Sequence, residues 1–145
     1  MDKGIYCLVF ENPACTLRIG ALGPVPFPAG WHIYTGSALG SGGLARLLRH
    51  IALSQMKEKA PKWHVDYLST DPRFILRYTV HAVTEERLEC RLASALGEPG
   101  ITGFGCSDCS CSSHLLTRGA DPRKEILSAF RGLGLVPVTK TIIVS

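Results

Sequence analysis

The spacing of hydrophobic and polar positions changes several times along the chain, which predicts a mixture of strands and helices. Residues 4–10 form a continuous apolar run without a breaker, so they predict a buried first strand. Residues 74–83 predict the clearest strand of the chain, directly after a turn at Asp71-Pro72. Residues 43–57 have helical spacing and predict an amphipathic helix. Its apolar stripe consists of Leu44, Leu47, Leu48 and Ile51.

Shorter segments complete the predicted sheet. Residues 16–20 and 31–36 predict two more strands. The segment between them, residues 23–30, predicts a loop because its prolines cannot donate to a ladder of hydrogen bonds. Residues 63–68 alternate like a strand, and residues 137–144 predict a closing strand.

Two further helices are predicted in the second half of the chain. Thr84 is a favourable N-cap for a helix that runs to Gly97. Pro122 stands at the first position of a last helix, which Gly132 ends. The order of elements predicts one α+β (mixed α/β) domain over residues 1–145, with a small, mainly antiparallel sheet flanked by helices.

Composition narrows the class of protein. The chain has 145 residues, of which 46% are hydrophobic, and this is enough for one compact core. No apolar run approaches the length of a membrane span, and the first residues lack a signal-peptide layout, so we expect a cytoplasmic protein without a membrane partner. The net charge of +4 permits an anionic partner but does not require one. The pattern leaves the oligomeric state open.

Two short strand-like tripeptides, GIY at residues 4–6 and YTG at residues 34–36, each place a tyrosine near a glycine. Glycine lets a backbone or a phosphate approach closely, and a tyrosine on the adjoining strand can direct its hydroxyl at what arrives. The Gly/Ser-rich turn that follows lacks the lysine of a nucleotide-binding P-loop. The structural alternative is that Tyr6 and Tyr34 only pack, as most strand tyrosines do.

Glu89 falls on the apolar side of its predicted helix, beside Leu92 and Leu96. A buried carboxylate is costly unless it is paired or binds a cation, so Glu89 is a candidate metal ligand. The alternative is a glutamate at the edge of the stripe that reaches water or pairs with an arginine.

Three basic side chains, Arg46, Arg49 and His50, fall on the polar face of the first helix. Arginine can hold a phosphate with two parallel hydrogen bonds, although an ordinary solvated face explains the pattern as well. His64 and Asp66 would share one face of the predicted strand at residues 63–68, as a base and its orienting carboxylate do. A weak surface pair is the alternative for these two side chains.

The chain has six cysteines, and three of them cluster in a loop rich in cysteine, serine and histidine at residues 103–114. Thiolates with an imidazole suit a tetrahedral zinc ion, and free thiols in a functional loop are the alternative. A thiol-redox protein is less favoured because no C-x-x-C lies at a strand-to-helix junction. The candidate zinc ligands are Cys106, Cys109, Cys111 and His114.

The order of these elements resembles the GIY-YIG nuclease superfamily: a GIY strand, a YIG-like strand, a helix with an arginine and a helix with a glutamate. Longer phrases resemble its stand-alone prokaryotic branch, the Uri-type endonucleases. These phrases cover residues 31–38, 63–67, 89–93 and 103–114.

This resemblance implies an endonuclease that hydrolyses DNA phosphodiester bonds with a single Mg²⁺ or Mn²⁺. Carried over by position, Tyr6 and Tyr34 would order the attacking water, Arg46 would neutralise the scissile phosphate, and Glu89 would hold the metal. His64 is an alternative base or proton relay. A phenol is a poor base unless its pKa falls, and a neighbouring metal or arginine could lower it.

The same resemblance implies DNA as the partner, branched or damaged DNA included, and a role in DNA repair. The residues expected to contact nucleic acid are Gly36, Ser37, Arg46, Arg49 and His50. The tyrosines of the two tripeptides lie 28 residues apart, whereas the family uses a shorter hairpin, so we expect an insertion at about residues 15–30. The lengthened Gly-rich turn leaves Arg46 and Arg49 as rival phosphate ligands.

Two functions from different classes follow. The first is a metal-dependent DNA endonuclease, and the second is a non-catalytic module that binds nucleic acid or a protein partner and has a zinc- or thiol-containing loop. An inward Glu89 separates them, because a carboxylate beside Arg46 would repel phosphate unless a cation lies between.

Overall fold

The computed structural model describes residues 1–57, 60–104 and 113–143. The strands are β1 (Gly4–Asn12), β2 (Cys15–Ile19), β3 (Gly23–Phe27), β4 (Gly30–Ala38), β5 (Ile75–Val83), β6 (Leu115–Arg118) and β7 (Val138–Thr141). The helices are α1 (Ala45–Met56), α2 (His64–Thr70), α3 (Glu89–Leu96) and α4 (Arg123–Gly132). No helix in these described ranges is long and apolar enough to cross a lipid bilayer.

Five strands form one sheet in the order β6-β4-β1-β5-β7, and every neighbouring pair is antiparallel. The predicted α+β class, with an antiparallel sheet flanked by helices, is therefore confirmed. Strand β1 is central, and its side chains alternate between two faces that are both covered. The Tyr6 face carries Tyr6, Leu8 and Phe10, and the Cys7 face carries Ile5, Cys7 and Val9.

Each face of the sheet has its own hydrophobic core. Leu47 of α1 and Val65 of α2 pack in the core of the Tyr6 face, together with the small sheet formed by β2 and β3. Leu92 of α3 and Phe130 of α4 pack in the core of the Cys7 face. Because both faces are covered, β1 is a continuous apolar run instead of an alternating one.

The segment expected to be an insertion, residues 15–30, contains a β-hairpin formed by β2 and β3. The prediction of a loop over residues 23–30 is wrong for β3. Pro24 and Pro26 occupy alternate positions, so their nitrogens share one side of β3, and β3 pairs with β2 alone in its two-stranded sheet, as the edge position of proline requires. The intervening Val25 and the following Phe27 are buried in the core of the Tyr6 face.

The strand predicted at residues 63–68 is wrong, because this segment forms α2. The buried carboxylate of Asp66 accepts the backbone N–H groups of Lys62 at 2.9 Å and Trp63 at 3.0 Å, which fixes the start of the helix. Residues two apart point in different directions on a helix, so His64 and Asp66 do not share a face.

Helix α3 begins at Glu89, five residues after the predicted N-cap. The hydroxyl of Thr84 accepts the backbone N–H of Glu86 at 3.1 Å, which closes a local turn before the helix. The predicted end is correct, since Gly97 caps α3. The late start places Glu89 in the first turn of the helix.

In α1 the buried arc is rotated relative to the predicted apolar stripe. Leu48 is 46% exposed, whereas His50 is buried at 1%, so the placement of His50 on a polar outer face is wrong. The buried positions centre on Leu47, His50 and Ser54, which lie three and four residues apart on one side of the helix. This rotation turns the imidazole toward β1 and β4.

Candidate active site

A cavity of about 470 Å³ opens on the Tyr6 face, where β1, β4, α1, α2 and α3 meet. It gathers the five residues predicted to be catalytic and four others predicted to bind nucleic acid or zinc. The catalytic candidates on its wall are Tyr6, Tyr34, Arg46, His64 and Glu89. The others are Gly36, Ser37, His50 and His114.

Antiparallel pairing brings the two tyrosines together. Tyr6 on β1 lies opposite Gly36 on β4, and Tyr34 lies two residues before Gly36, so both tyrosines belong to one face of the sheet. A Cβ atom at position 36 would lie 2.6 Å from Cζ of Tyr6. The Tyr6 ring therefore crosses β4 at a position where the strand has no side chain.

The Tyr6 hydroxyl lies 2.9 Å from Nε2 of His50, and both side chains are buried. Burial lowers the pKa of His50 to about 4, so the imidazole is neutral at pH 7 and its Nε2 can accept the tyrosine proton. Burial also raises the pKa of Tyr6, and neighbouring Tyr34 adds to the effect, whereas Arg46 lowers this pKa only in part. The expected fall in the Tyr6 pKa from a neighbouring arginine is thus outweighed by desolvation.

Asp66 stands behind His50. Its Oδ1 lies 3.8 Å from Nδ1 of His50, and its Oδ2 accepts a hydrogen bond from Arg49 at 3.0 Å. Although burial alone would raise the pKa of Asp66, hydrogen bonds from Arg49 and from the backbone of Trp63 lower it overall. Asp66 is therefore an anion beside the imidazole.

The two rival arginines have different surroundings. Arg49 is bound to Asp66 and is not part of the cavity wall. Arg46 is exposed on the wall, and it donates a hydrogen bond to the backbone carbonyl of Ser37 at 3.0 Å. Among the residues described, Arg46 forms no ion pair with a carboxylate, so its charge is available to an anion in the cavity.

The prediction that Glu89 points inward is confirmed. Its side chain is buried at the first position of α3, on the cavity wall. Its Oε2 atom is buried and has no hydrogen-bond partner within the described part of the chain. A carboxylate oxygen in this state has lost its water without a protein donor in exchange, which favours a cation as its partner.

His64 and His114 reach the cavity from other elements. His64 begins α2, and its ring contacts Phe104 with centroids 5.4 Å apart. His114 is buried, its carbonyl accepts the backbone N–H of Thr35 at 2.8 Å, and its Nε2 lies 3.4 Å from Sγ of Cys90. The zinc candidates Cys106, Cys109 and Cys111 lie outside the described residues, so the predicted zinc site stays a prediction.

Comparison with known families places the chain. The model of a family described as a domain of unknown function, DUF123, matches residues 5–135. The chain belongs to the DUF123 family. A search of curated proteins and a search of solved structures each found no match. Every residue of the cavity wall falls inside the matched DUF123 region, so the cavity is a feature of the DUF123 domain itself.

Three wall residues of this DUF123 domain did not stand out as site residues in the sequence. Lys62 and Trp63 precede α2, and Arg87 precedes α3. Cations near a predicted turn are common on any protein surface, so only the fold distinguishes Lys62 and Arg87 as site residues. The positive charges of Arg46, Lys62 and Arg87 make the cavity electropositive around Glu89.

Proposed function

We propose that this DUF123 domain is a divalent-metal-dependent endonuclease of the GIY-YIG type that hydrolyses phosphodiester bonds of DNA. The observation that carries the proposal is the convergence of Tyr6, Tyr34, Arg46 and Glu89 on one cavity. Four side chains from four separate elements meet there in the combination that phosphoryl hydrolysis uses, namely hydroxyl groups, a guanidinium and a carboxylate.

The residues present fit a Mg²⁺ or Mn²⁺ ion at Glu89. The buried Oε2 atom lacks a partner among the described residues, and a metal ion would supply one. The described residues hold no group of three acidic, histidine or cysteine side chains that could bind a metal together. Magnesium commonly uses one or two carboxylates and completes its shell with water and substrate phosphate, so a single glutamate is adequate. Bound there, the ion would polarise a phosphoryl oxygen as a Lewis acid.

The proton of the attacking water has a path through Tyr6. Because burial raises the pKa of Tyr6, the residue is a neutral phenol at pH 7 and must pass its own proton on when it accepts another. The Nε2 atom of His50, 2.9 Å from the hydroxyl, is the acceptor. The imidazolium formed in this way faces the Asp66 carboxylate, which stabilises the positive charge.

Arg46 is the residue suited to the scissile phosphate. Its Nη1 donates a hydrogen bond to the carbonyl of Ser37, while Arg49 is already neutralised by Asp66. A guanidinium remains charged at every relevant pH and can bind two phosphate oxygens at once. Tyr34, on the same face as Tyr6, would orient the nucleophilic water.

The test compares the wild-type protein with Glu89→Gln on supercoiled plasmid and on a branched DNA junction, in Mg²⁺, Mn²⁺ or EDTA. We expect metal-dependent nicking by the wild type and a loss of about 100-fold or more in the variant. Mn²⁺ should also raise the Tm of the wild type but not that of Glu89→Gln, because only the carboxylate binds the ion.

Glu86→Gln is the matched control, because this exposed glutamate lies just before α3 and is not on the cavity wall. It should nick DNA like the wild type. Equal nicking by Glu89→Gln would contradict the metal assignment. DNA binding without nicking by either protein would favour the non-catalytic binding module instead.

A further inference from the structure

Three cationic side chains converge on the indole ring of Trp63 at the edge of the cavity. The ring centroid lies 4.5 Å from Cζ of Arg49, 5.1 Å from Cζ of Arg46 and 5.2 Å from Nζ of Lys62. His50 supports the indole from within, with ring centroids 5.9 Å apart. Cation–π attraction holds the charges on the ring, but it leaves them close to one another.

Among the described residues, one of these three charges is neutralised by a carboxylate. Arg49 is paired with Asp66. Neither Arg46 nor Lys62 is in an ion pair with a carboxylate of the described ranges. Two unpaired like charges on one ring repel each other, so an anion bound between them would relieve the repulsion.

The cavity has more positive charge than one phosphate requires. Arg46 alone can neutralise the scissile phosphate, yet Lys62 and Arg87 line the same wall. Arg87 also forms no ion pair with the described carboxylates. These two residues approach from different segments, one before α2 and one before α3, with Glu89 in the same cavity. A phosphodiester carries one negative charge, which Arg46 balances, so Lys62 and Arg87 match the charges of further phosphates along a strand.

We propose that Lys62, held on Trp63, and Arg87 bind the phosphates that flank the scissile one, so that the ligand is a polynucleotide strand laid across the cavity. The inference rests on the proposed function, because it takes nucleic acid as the ligand. Lys62 and Arg87 are positioning residues in this arrangement. They fix the register of the strand while Arg46 contacts the reacting phosphate.

The test measures the salt dependence of DNA binding by fluorescence anisotropy. A labelled duplex is titrated with Glu89→Gln, and then with Glu89→Gln carrying Lys62→Gln or Arg87→Gln, so that cleavage cannot remove the probe. Each lost phosphate contact should reduce the slope of log Kobs against log salt concentration by about 0.9. Lys62→Arg should keep the slope of the parent, and a change in folding alone would not move the slope by one contact.

Lys124→Gln and Arg131→Gln are matched controls, since both residues are exposed on α4, which packs on the Cys7 face. Their slopes should equal that of the parent. Unchanged slopes for Lys62→Gln and Arg87→Gln would overturn the inference, and nicking by the wild type would still support the proposed function. Reduced slopes without any nicking by the wild type in Mn²⁺ would reject catalysis and support the strand-binding surface.

Discussion

The Tyr6 hydroxyl and the imidazole of His50 form one buried hydrogen bond, 2.9 Å long, at the floor of the cavity. The sequence places these residues 44 positions apart, on a strand and on a helix. Gly36 allows the contact, because a larger residue opposite Tyr6 would collide with its ring. In the proposed hydrolysis these two side chains act together, so removing either the Tyr6 hydroxyl or the His50 imidazole should affect the same proton transfer.

Replacing Tyr6 with phenylalanine tests this unit. Tyr6→Phe keeps the ring and its packing, so the free energy of unfolding should change by no more than about 1–2 kcal/mol. Metal-dependent nicking should fall by about 100-fold or more, because the proton path from water to His50 loses its middle member. Single-turnover nicking assays measure the rate, and urea denaturation measures the stability.

The control for this substitution is Tyr78→Phe. Tyr78 is also buried, and its hydroxyl donates a hydrogen bond of 2.6 Å to Asp121, but it packs in the core of the Cys7 face. It should lose stability without losing nicking. A Tyr6→Phe protein that nicks plasmid at the wild-type rate would exclude Tyr6 from the reaction.

Helix α2 owes its position to Asp66. This one carboxylate accepts the backbone N–H groups of Lys62 and Trp63 and binds the guanidinium of Arg49 on α1. Asp66→Asn removes the charge from a fully buried position, so we expect the free energy of unfolding to fall by about 1–3 kcal/mol. Urea denaturation at pH 7 measures this change.

Asp71→Asn is the comparison at this scale. Asp71 also accepts hydrogen bonds from an arginine, but Arg73 is 42% exposed, so water replaces the contact. Its loss of stability should be clearly smaller than that of Asp66→Asn. Equal losses of stability would show that the buried contact between Asp66 and Arg49, which links α1 and α2, stabilises the protein no more than an exposed ion pair does.

The elements that the sequence predicted correctly are those whose pattern agrees with their tertiary environment. Strand β1 is an apolar run and β5 is rich in β-branched and aromatic residues, while α4 begins at Arg123, one residue after the predicted start at Pro122. The errors arise where a long-range contact decides. Residues 63–68 alternate like a strand, but Asp66 caps a helix and is held by Arg49 of α1, 17 positions earlier. Strand β6 has four residues, too few for a periodic signal, and forms by pairing with β4.

The candidate site shows the same division. Helical spacing alone predicted that Glu89 points inward. The order of motifs predicted that Tyr6, Tyr34 and Arg46 belong to one site. The contact of His50 with Tyr6 was not predictable, since it depends on the rotation of α1 against the sheet. The position of Lys62 and Arg87 on the cavity wall was not predictable either, because the tertiary fold brings their two segments together.

At the scale of the whole molecule, the core of the Tyr6 face borders two buried imidazoles, His32 and His50. His32 is fully buried among Phe27 and Phe74, with one hydrogen bond of 2.7 Å between its Nδ1 and the side chain of Asn12. Burial lowers the pKa of His32 to about 4, as it does for His50. In the folded protein both imidazoles thus stay neutral at pH values well below their ordinary pKa of 6.5.

These two histidines predict how stability depends on pH. Between pH 6.5 and pH 4 the unfolded chain binds protons at His32 and His50 that the folded protein does not, so the free energy of unfolding falls as the pH falls. Each lowered pKa reduces the free energy of unfolding by about 3 kcal/mol once the pH is below 4, and it causes no reduction above pH 6.5. The lowered pKa of Asp66 has its effect in a separate window, below its ordinary value of 3.8.

Urea denaturation at a series of pH values from 7.5 to 4 at constant ionic strength, each about half a unit apart, measures this dependence. We expect the free energy of unfolding to decline steadily through the range, and His32→Gln and His50→Gln each to reduce the decline by about half, whatever their effect at pH 7. Since His81 is shifted in the same direction, a small slope should persist in the double variant. A wild-type stability that is constant from pH 7 to pH 4.5 would mean that these imidazoles take up protons in the folded state, and a proton on His50 would block its acceptance of the Tyr6 proton. The same titration therefore tests the stability argument and the protonation state that the proposed hydrolysis requires.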